Sequence, residues 1–100
     1  MMYPERKTLG AILYVIKMYD EGDAFYKIGI TKNYKERMRK IPYDKEQILT
    51  LHGELYEMFT KEQLFLKNIG YKNRFIPSIK FGGDKECFIL PVERILEQLT

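Results

Sequence analysis

Two charged side chains fall on the inward sides of predicted helices, and they set the chemical question for this chain. Over residues 34–41, Tyr34, Met38 and Ile41 form an apolar stripe at helical spacing. At about 100° per residue, Arg37 lies roughly 60° from the centre of that stripe, nearer than Lys35, Arg39 or Lys40. In the next predicted helix, Phe65, Leu66 and Ile69 define the buried face, and Glu62 stands near its middle. A buried, unpaired carboxylate is costly, so Glu62 must meet a cation, a metal ion or water in a cleft. Two readings stand level: a structural Glu62–Arg37 ion pair or an exposed helix end, against a functional site.

The elements that position these residues follow from local pattern. Residues 11–19 are rich in β-branched and aromatic types, DEGDA follows as a turn, and 24–31 resumes the strand pattern, which predicts a β-hairpin. Apolar residues on both alternating faces predict a central, well-covered sheet. Asn33 with Glu36 three positions on predicts a capped helix running to about Ile41, where Pro42 discourages continuation. Over residues 47–57, Leu49, Leu51 and Leu55 alternate with Thr50, His52 and Glu54, and Gly53 marks a bulge or a close backbone approach. A second helix is expected after Thr60, supported by Gln63, and ending before Gly70. A loop with Gly82 and Gly83, a short strand over 86–90 and a helix opening with Pro91 complete the chain. The order is strand, strand, helix, strand, helix, strand, helix. The expected architecture is α+β, a small central three-stranded antiparallel sheet flanked by helices, with a flexible lead-in over 1–8 and a single domain over 9–100.

Composition narrows the function classes. With 100 residues, 45% of them hydrophobic, the chain suits one core and not two. The apolar run GAILYVI is interrupted by Lys17 and is far too short to span a bilayer. The single cysteine, Cys87, has no partner for an internal disulfide and no zinc spacing, so it reads as a small core residue in a reducing, intracellular setting. His52, the only histidine, lies on the polar side of its strand and reads as surface. Net charge is only +3, but residues 27–45 hold seven Lys or Arg against Glu36 and Asp44, and residues 67–85 hold five against Asp84. Two basic segments in an acidic remainder suit a polyanion such as nucleic acid.

The ordered set of motifs is more specific. ILY at Ile12 to Tyr14 and KIG at Lys27 to Gly29, followed by Thr31, Lys32, Asn33 and then Arg37, resembles the GIY-YIG nuclease domain, and most closely its phage- and virus-rich branch with a YKIG second motif. Glu62 opens EQLFLK as that family's metal-binding glutamate opens its helix. GGDKECF resembles the segment in which a Glu precedes an aromatic pair. Lys27 stands where the founding pattern has Tyr, Ile12 where it has Gly, Cys87 where it has an aromatic residue and Ile41 where many members carry His or Tyr. Asn73 is the nearest candidate for the C-terminal Asn.

The resemblance implies a divalent-metal-dependent DNA endonuclease or nickase with a one-metal mechanism, intracellular and of viral or mobile-element source. Glu62 would hold Mg²⁺ (or Mn²⁺), which would polarise the phosphate and help the leaving oxygen. Tyr14 would act as general base, a demanding task for a phenol with an unperturbed pKa near ~10, and Lys27 is placed to assist. Alternation puts Tyr14 and Lys27 on one sheet face as diagonal neighbours, provided the turn centres near Glu21 and Gly22. Arg37 would clamp the phosphate with charge-assisted hydrogen bonds. Lys32, Lys35, Arg39 and Lys40 would attract DNA as solvated surface, and a homodimer or a recognition partner would supply sequence preference. The first rival is a nucleic-acid-binding module of the same fold without efficient catalysis. The second is a protein-interaction domain whose basic segments keep it soluble.

Overall fold

The computed structural model describes residues 10–20, 22–77 and 86–100. The lead-in over 1–8 and the loop glycines Gly82 and Gly83 lie outside them. The hairpin forms from β1 (Gly10–Asp20) and β2 (Asp23–Thr31), with Asp20 opposite Asp23 and only Glu21 and Gly22 between them in sequence. Gly22 has φ of 92°, a left-handed conformation that its missing Cβ makes cheap and that a tight hairpin requires.

A short helix α1 (Tyr34–Arg39) follows. Asn33 Oδ1 accepts from Glu36 N at 3.1 Å, as the cap predicts. The reciprocal half of the capping box is replaced: Asn33 N donates to Thr31 Oγ1 at 3.0 Å. The Glu36 carboxylate turns instead to Arg39 and Lys40. Strand β3 (Asp44–Glu54) pairs antiparallel with β1, and its irregularity falls between Val15 and Ile16, where the partner jumps from Leu49 to Gln47. The bulge is therefore at Ile48 and not at Gly53. What a Cβ at Gly53 would meet is not another backbone but the side-chain ends Met58 Cε and Glu57 Oε1.

Helix α2 (Leu55–Phe65) starts directly after β3, five residues before the predicted cap. Thr60 does not cap it; its hydroxyl donates to Tyr56 O at 2.9 Å in mid-helix. The pull of Met58, Glu62 and Phe65 onto one buried side extends the helix backward through a stretch that alternates like a strand. A wider turn, Leu66–Gly70, and a 3-10 turn, Tyr71–Asn73, carry the chain on.

The last elements are β4 (Cys87–Phe88) and α3 (Val92–Leu99), the latter preceded by Pro91 at the cap. Strand β4 pairs Phe88 with Tyr26 and Cys87 with Lys27, which makes the sheet four-stranded in the order β3-β1-β2-β4. The three-stranded expectation is thus corrected. A two-residue strand carries almost no periodic signal, and its pairing with β2 joins residues far apart in sequence. The α+β class stands, with a four-stranded antiparallel sheet and three α-helices among the described residues.

The central pair of strands is covered on both sides. Ala11, Leu13, Val15, Tyr26, Ile28 and Phe88 face a layer completed by Met58, Phe65, Leu66, Ile95 and Leu99. Tyr14, Ile16, Met18, Phe25 and Cys87 face the opposite layer with Ile41 and Tyr43, and Tyr34 and Met38 of α1 pack against it. Both predicted helix stripes are therefore seated as the period demands.

Candidate active site

The hairpin register decides the first two residues. Tyr14 lies opposite Gly29, and Lys27 lies opposite Ile16 two pairs along, so Tyr14 and Lys27 are diagonal neighbours on the same face. Both are fully buried. The Tyr14 ring lies across Gly29 so closely that a Cβ there would stand 2.6 Å from Cζ and closer still to Oη. That gives the glycine of KIG a physical reason: it makes room for the phenol of ILY.

Lys27 Nζ lies 5.3 Å from the Tyr14 ring centroid, within reach of a cation–π contact. It donates to Ile28 O at 3.2 Å and to Glu86 Oε1 at 3.2 Å. Glu86 thus supplies the counter-charge that an ammonium withdrawn from water requires. Tyr34 stands edge-on to Tyr14 with ring centroids 6.0 Å apart. Burial first, and then the neighbouring Tyr14 phenol, push the Tyr34 hydroxyl above the usual range and keep it neutral. The Tyr14 hydroxyl is sealed from solvent and has no hydrogen-bond partner among the described residues.

Glu62 sits on the buried side of α2, 6% exposed, with Met58 and Phe65 on the same side of the helix. Its carboxyl is held above the ordinary carboxylate range by burial first and by the negative charge of Glu86 second; the Gln63 amide and Lys27 pull the other way. Glu62 Oε1 accepts from Gln63 Nε2 at 3.2 Å. Among the described residues it forms no salt bridge with Arg37, which removes the structural ion pair as the explanation of its burial. Glu62, Lys27 and Glu86 therefore share one electrostatic neighbourhood, and Tyr14 joins it through Lys27.

Arg37 is half-buried on α1, as its angle to the stripe predicts, and its side chain has no salt bridge among the described residues. Contact between Arg37 and Tyr14 or Glu62 is not among the observed interactions, so the cluster proper is Tyr14, Lys27, Glu62 and Glu86. Lys32 and Lys35 are exposed, and Arg39 and Lys40 are exposed and tied to Glu36. His52 is exposed and Cys87 is buried beside Phe88, both as expected. Asn73 is not a member of the cluster: its Nδ2 donates to Ile69 O at 2.9 Å and closes the end of the preceding turn.

Glu86 is the member of the cluster that sequence reasoning passed over. GGDKECF drew notice as a segment, but no role fell to its glutamate. The question asked of Glu62, namely what compensates a buried charge, applies equally to an inward-facing Lys27, and it would have demanded a distant acid.

A small α+β domain with a buried Tyr–Lys–Glu cluster at the centre of its sheet is the class that this fold and site define. The chain belongs to the T5orf172 domain family, whose model matches residues 11–100. No curated protein and no solved structure matches the chain. The family assignment corrects the resemblance to GIY-YIG: T5orf172 is a different family with a related, nuclease-like fold. The reason is visible in the hairpin. ILY and KIG report a tyrosine crossing a glycine on paired strands, a local geometry that does not fix the family. T5orf172 is a nuclease-associated domain family, which is consistent with a DNA-related module. Among the described residues, no helix is long and apolar enough to cross a membrane. Nothing observed supports the homodimer expectation.

Proposed function

We propose that this domain hydrolyses phosphodiester bonds in DNA, nicking a strand with the help of a divalent cation. The observation that carries the proposal is the Tyr14 hydroxyl, buried without a partner among the described residues, on a ring that the Lys27 ammonium lies over. An unsatisfied polar atom of this kind costs stability and calls for a function. A reacting water would satisfy it.

The donor chemistry fits a hard divalent ion. Glu62 offers carboxylate oxygens in a place where burial and Glu86 already make negative charge unfavourable, so a cation is welcome there. Among the described residues there is no cluster of three or more His, Cys, Asp or Glu side chains, so an ion such as Mg²⁺ or Mn²⁺ would keep much of its water. Once bound by Glu62, it would supply Lewis acidity to the phosphate and the departing 3′ oxygen.

The remaining work falls to the chain's own side chains. Tyr14 Oη takes a proton from the attacking water, with the Lys27 ammonium held over its ring. Arg37, half-buried and without a salt bridge among the described residues, presents its fork to the phosphate. Lys32 and Lys35 add attraction for the backbone without choosing a bond.

Supercoiled plasmid incubated with the protein and Mg²⁺ or Mn²⁺ tests this directly. Nicked circles should accumulate, and Glu62→Ala should lower the rate by about 100-fold or more while sparing salt-sensitive binding. Equal inactivity of wild type and Glu62→Ala, with binding retained, replaces this reading by a catalytically silent DNA-binding module.

A further inference from the structure

Glu86 lies on the short edge strand's approach, at the residue preceding Cys87, and Cys87 is the residue paired with Lys27. That pairing brings Glu86 next to an ammonium that is itself fully buried. Among the described residues the ammonium makes two polar contacts, Ile28 O and Glu86 Oε1, both at 3.2 Å. The backbone carbonyl is fixed by the strand, and Glu86 is the only one of the two that carries charge. The direction in which Nζ points, over the Tyr14 ring, is therefore set by these two acceptors together, and Glu86 contributes the charge that makes the burial of Lys27 tolerable. Glu86 is about one-third exposed, so it forms the outer end of the pair.

We infer that Glu86 is a positioning residue: it holds the Lys27 ammonium against Tyr14 and touches neither substrate nor leaving group. This rests on the proposed phosphodiester chemistry for its kinetic consequence, but the geometry it claims exists without turnover. The inference differs from two others that the same pair allows. A Glu86 that merely competed with DNA phosphate for Lys27 would act as a brake, and its loss would tighten binding. A Glu86 that acted on Glu62 would not need Lys27 at all.

The experiment has a structural and a kinetic arm. With lysine side chains ¹⁵N-labelled, Lys27 should give a slowly exchanging ammonium signal, identified by its absence in Lys27→Met. Glu86→Gln should shift it or abolish it, and Glu86→Asp should restore it in part. In the nicking assay, Glu86→Gln should lower kcat by about tenfold or more with KM for plasmid changed by less than about twofold, and Glu86→Asp should recover part of the loss. In a Lys27→Met background, which leaves no buried ammonium to compensate, Glu86→Gln should change the residual rate by less than about twofold. That double variant also serves if Glu86→Gln alone does not fold.

An ammonium signal unaltered by Glu86→Gln overturns the inference whether or not the wild type nicks DNA. A rate loss of equal size with and without Lys27 overturns it in favour of action through Glu62. Faster nicking or tighter DNA binding in Glu86→Gln overturns it in favour of a brake. A wild type that fails to nick while Lys27 still depends on Glu86 counts against the phosphodiesterase reading and leaves the positioning role supported.

Discussion

On one face of the β1–β2 hairpin, Leu13, Val15, Tyr26 and Ile28 meet Met58, Phe65 and Phe88 in an apolar layer. On the other, the same two strands present Ile16, Met18 and Phe25, but set among them are Tyr14 with an unsatisfied hydroxyl and Lys27 with its ion pair. The faces share strands, register and depth of burial, so the contrast isolates chemistry from topology. Polar groups at such depth are a net cost unless fully satisfied, and the Tyr14 hydroxyl is not. The first face is wholly apolar, and the second carries buried polar groups at a cost in stability.

The comparison can be broken most forcefully on its apolar side. Phe65→Ala removes a ring that packs on Phe88 with centroids 5.0 Å apart, and it should cost about 3–5 kcal/mol in a urea melt. Molecules still folded should retain their nicking rate if the cavity left by the ring does not move Glu62, which shares the buried side of α2 with Phe65. A loss of activity greater than the loss of folded protein would show that the two faces are not separable.

Gly29→Ala probes the boundary between them. Its new methyl group must displace the Tyr14 ring, so a stability cost of about 1–3 kcal/mol should accompany a fall in kcat. Thermal melts and nicking rates measured together check this; an active, equally stable variant would mean that the phenol does not need its place across the glycine.

Glu62→Gln should produce the smallest change in stability, with the opposite sign. The carboxyl of Glu62 is held above its ordinary value of 4.5 by burial and then by Glu86. The folded chain therefore binds this proton more readily than the unfolded one. The resulting stability is fully present below pH 4.5 and is lost as pH rises through the folded value. At neutral pH the variant should melt a few degrees above wild type, and the gap should close on acidification towards about pH 4. A gap independent of pH would remove the buried charge as its cause.

Much of this arrangement was legible in local pattern, for physical reasons. The pairing of Asp20 with Asp23 fixes the register, and register fixes the Tyr14–Lys27 diagonal. Helical period places Arg37 at the edge of the α1 stripe and Glu62 within that of α2. What local pattern does not carry is pairing across distance: Lys27 and Glu86 are separated by 59 positions, and β4 is too short to announce its neighbour. The early start of α2 was hidden because Leu49, Leu51 and Leu55 alternate as a strand would, while packing of Met58 decides otherwise. Family membership was misread for a related reason, since two tripeptides describe one crossing of side chains and not a whole domain.

Tyr14→Phe tests the central claim most directly, because it deletes one atom from the polar face and leaves the ring across Gly29. The variant should fold at least as stably as wild type, having lost a buried hydroxyl without a partner, and should bind DNA with the same salt dependence. Its nicking of supercoiled plasmid with Mg²⁺ should fall by about 100-fold or more. Nicking at the wild-type rate would contradict the account, since the hydroxyl would then be a structural cost without a chemical role.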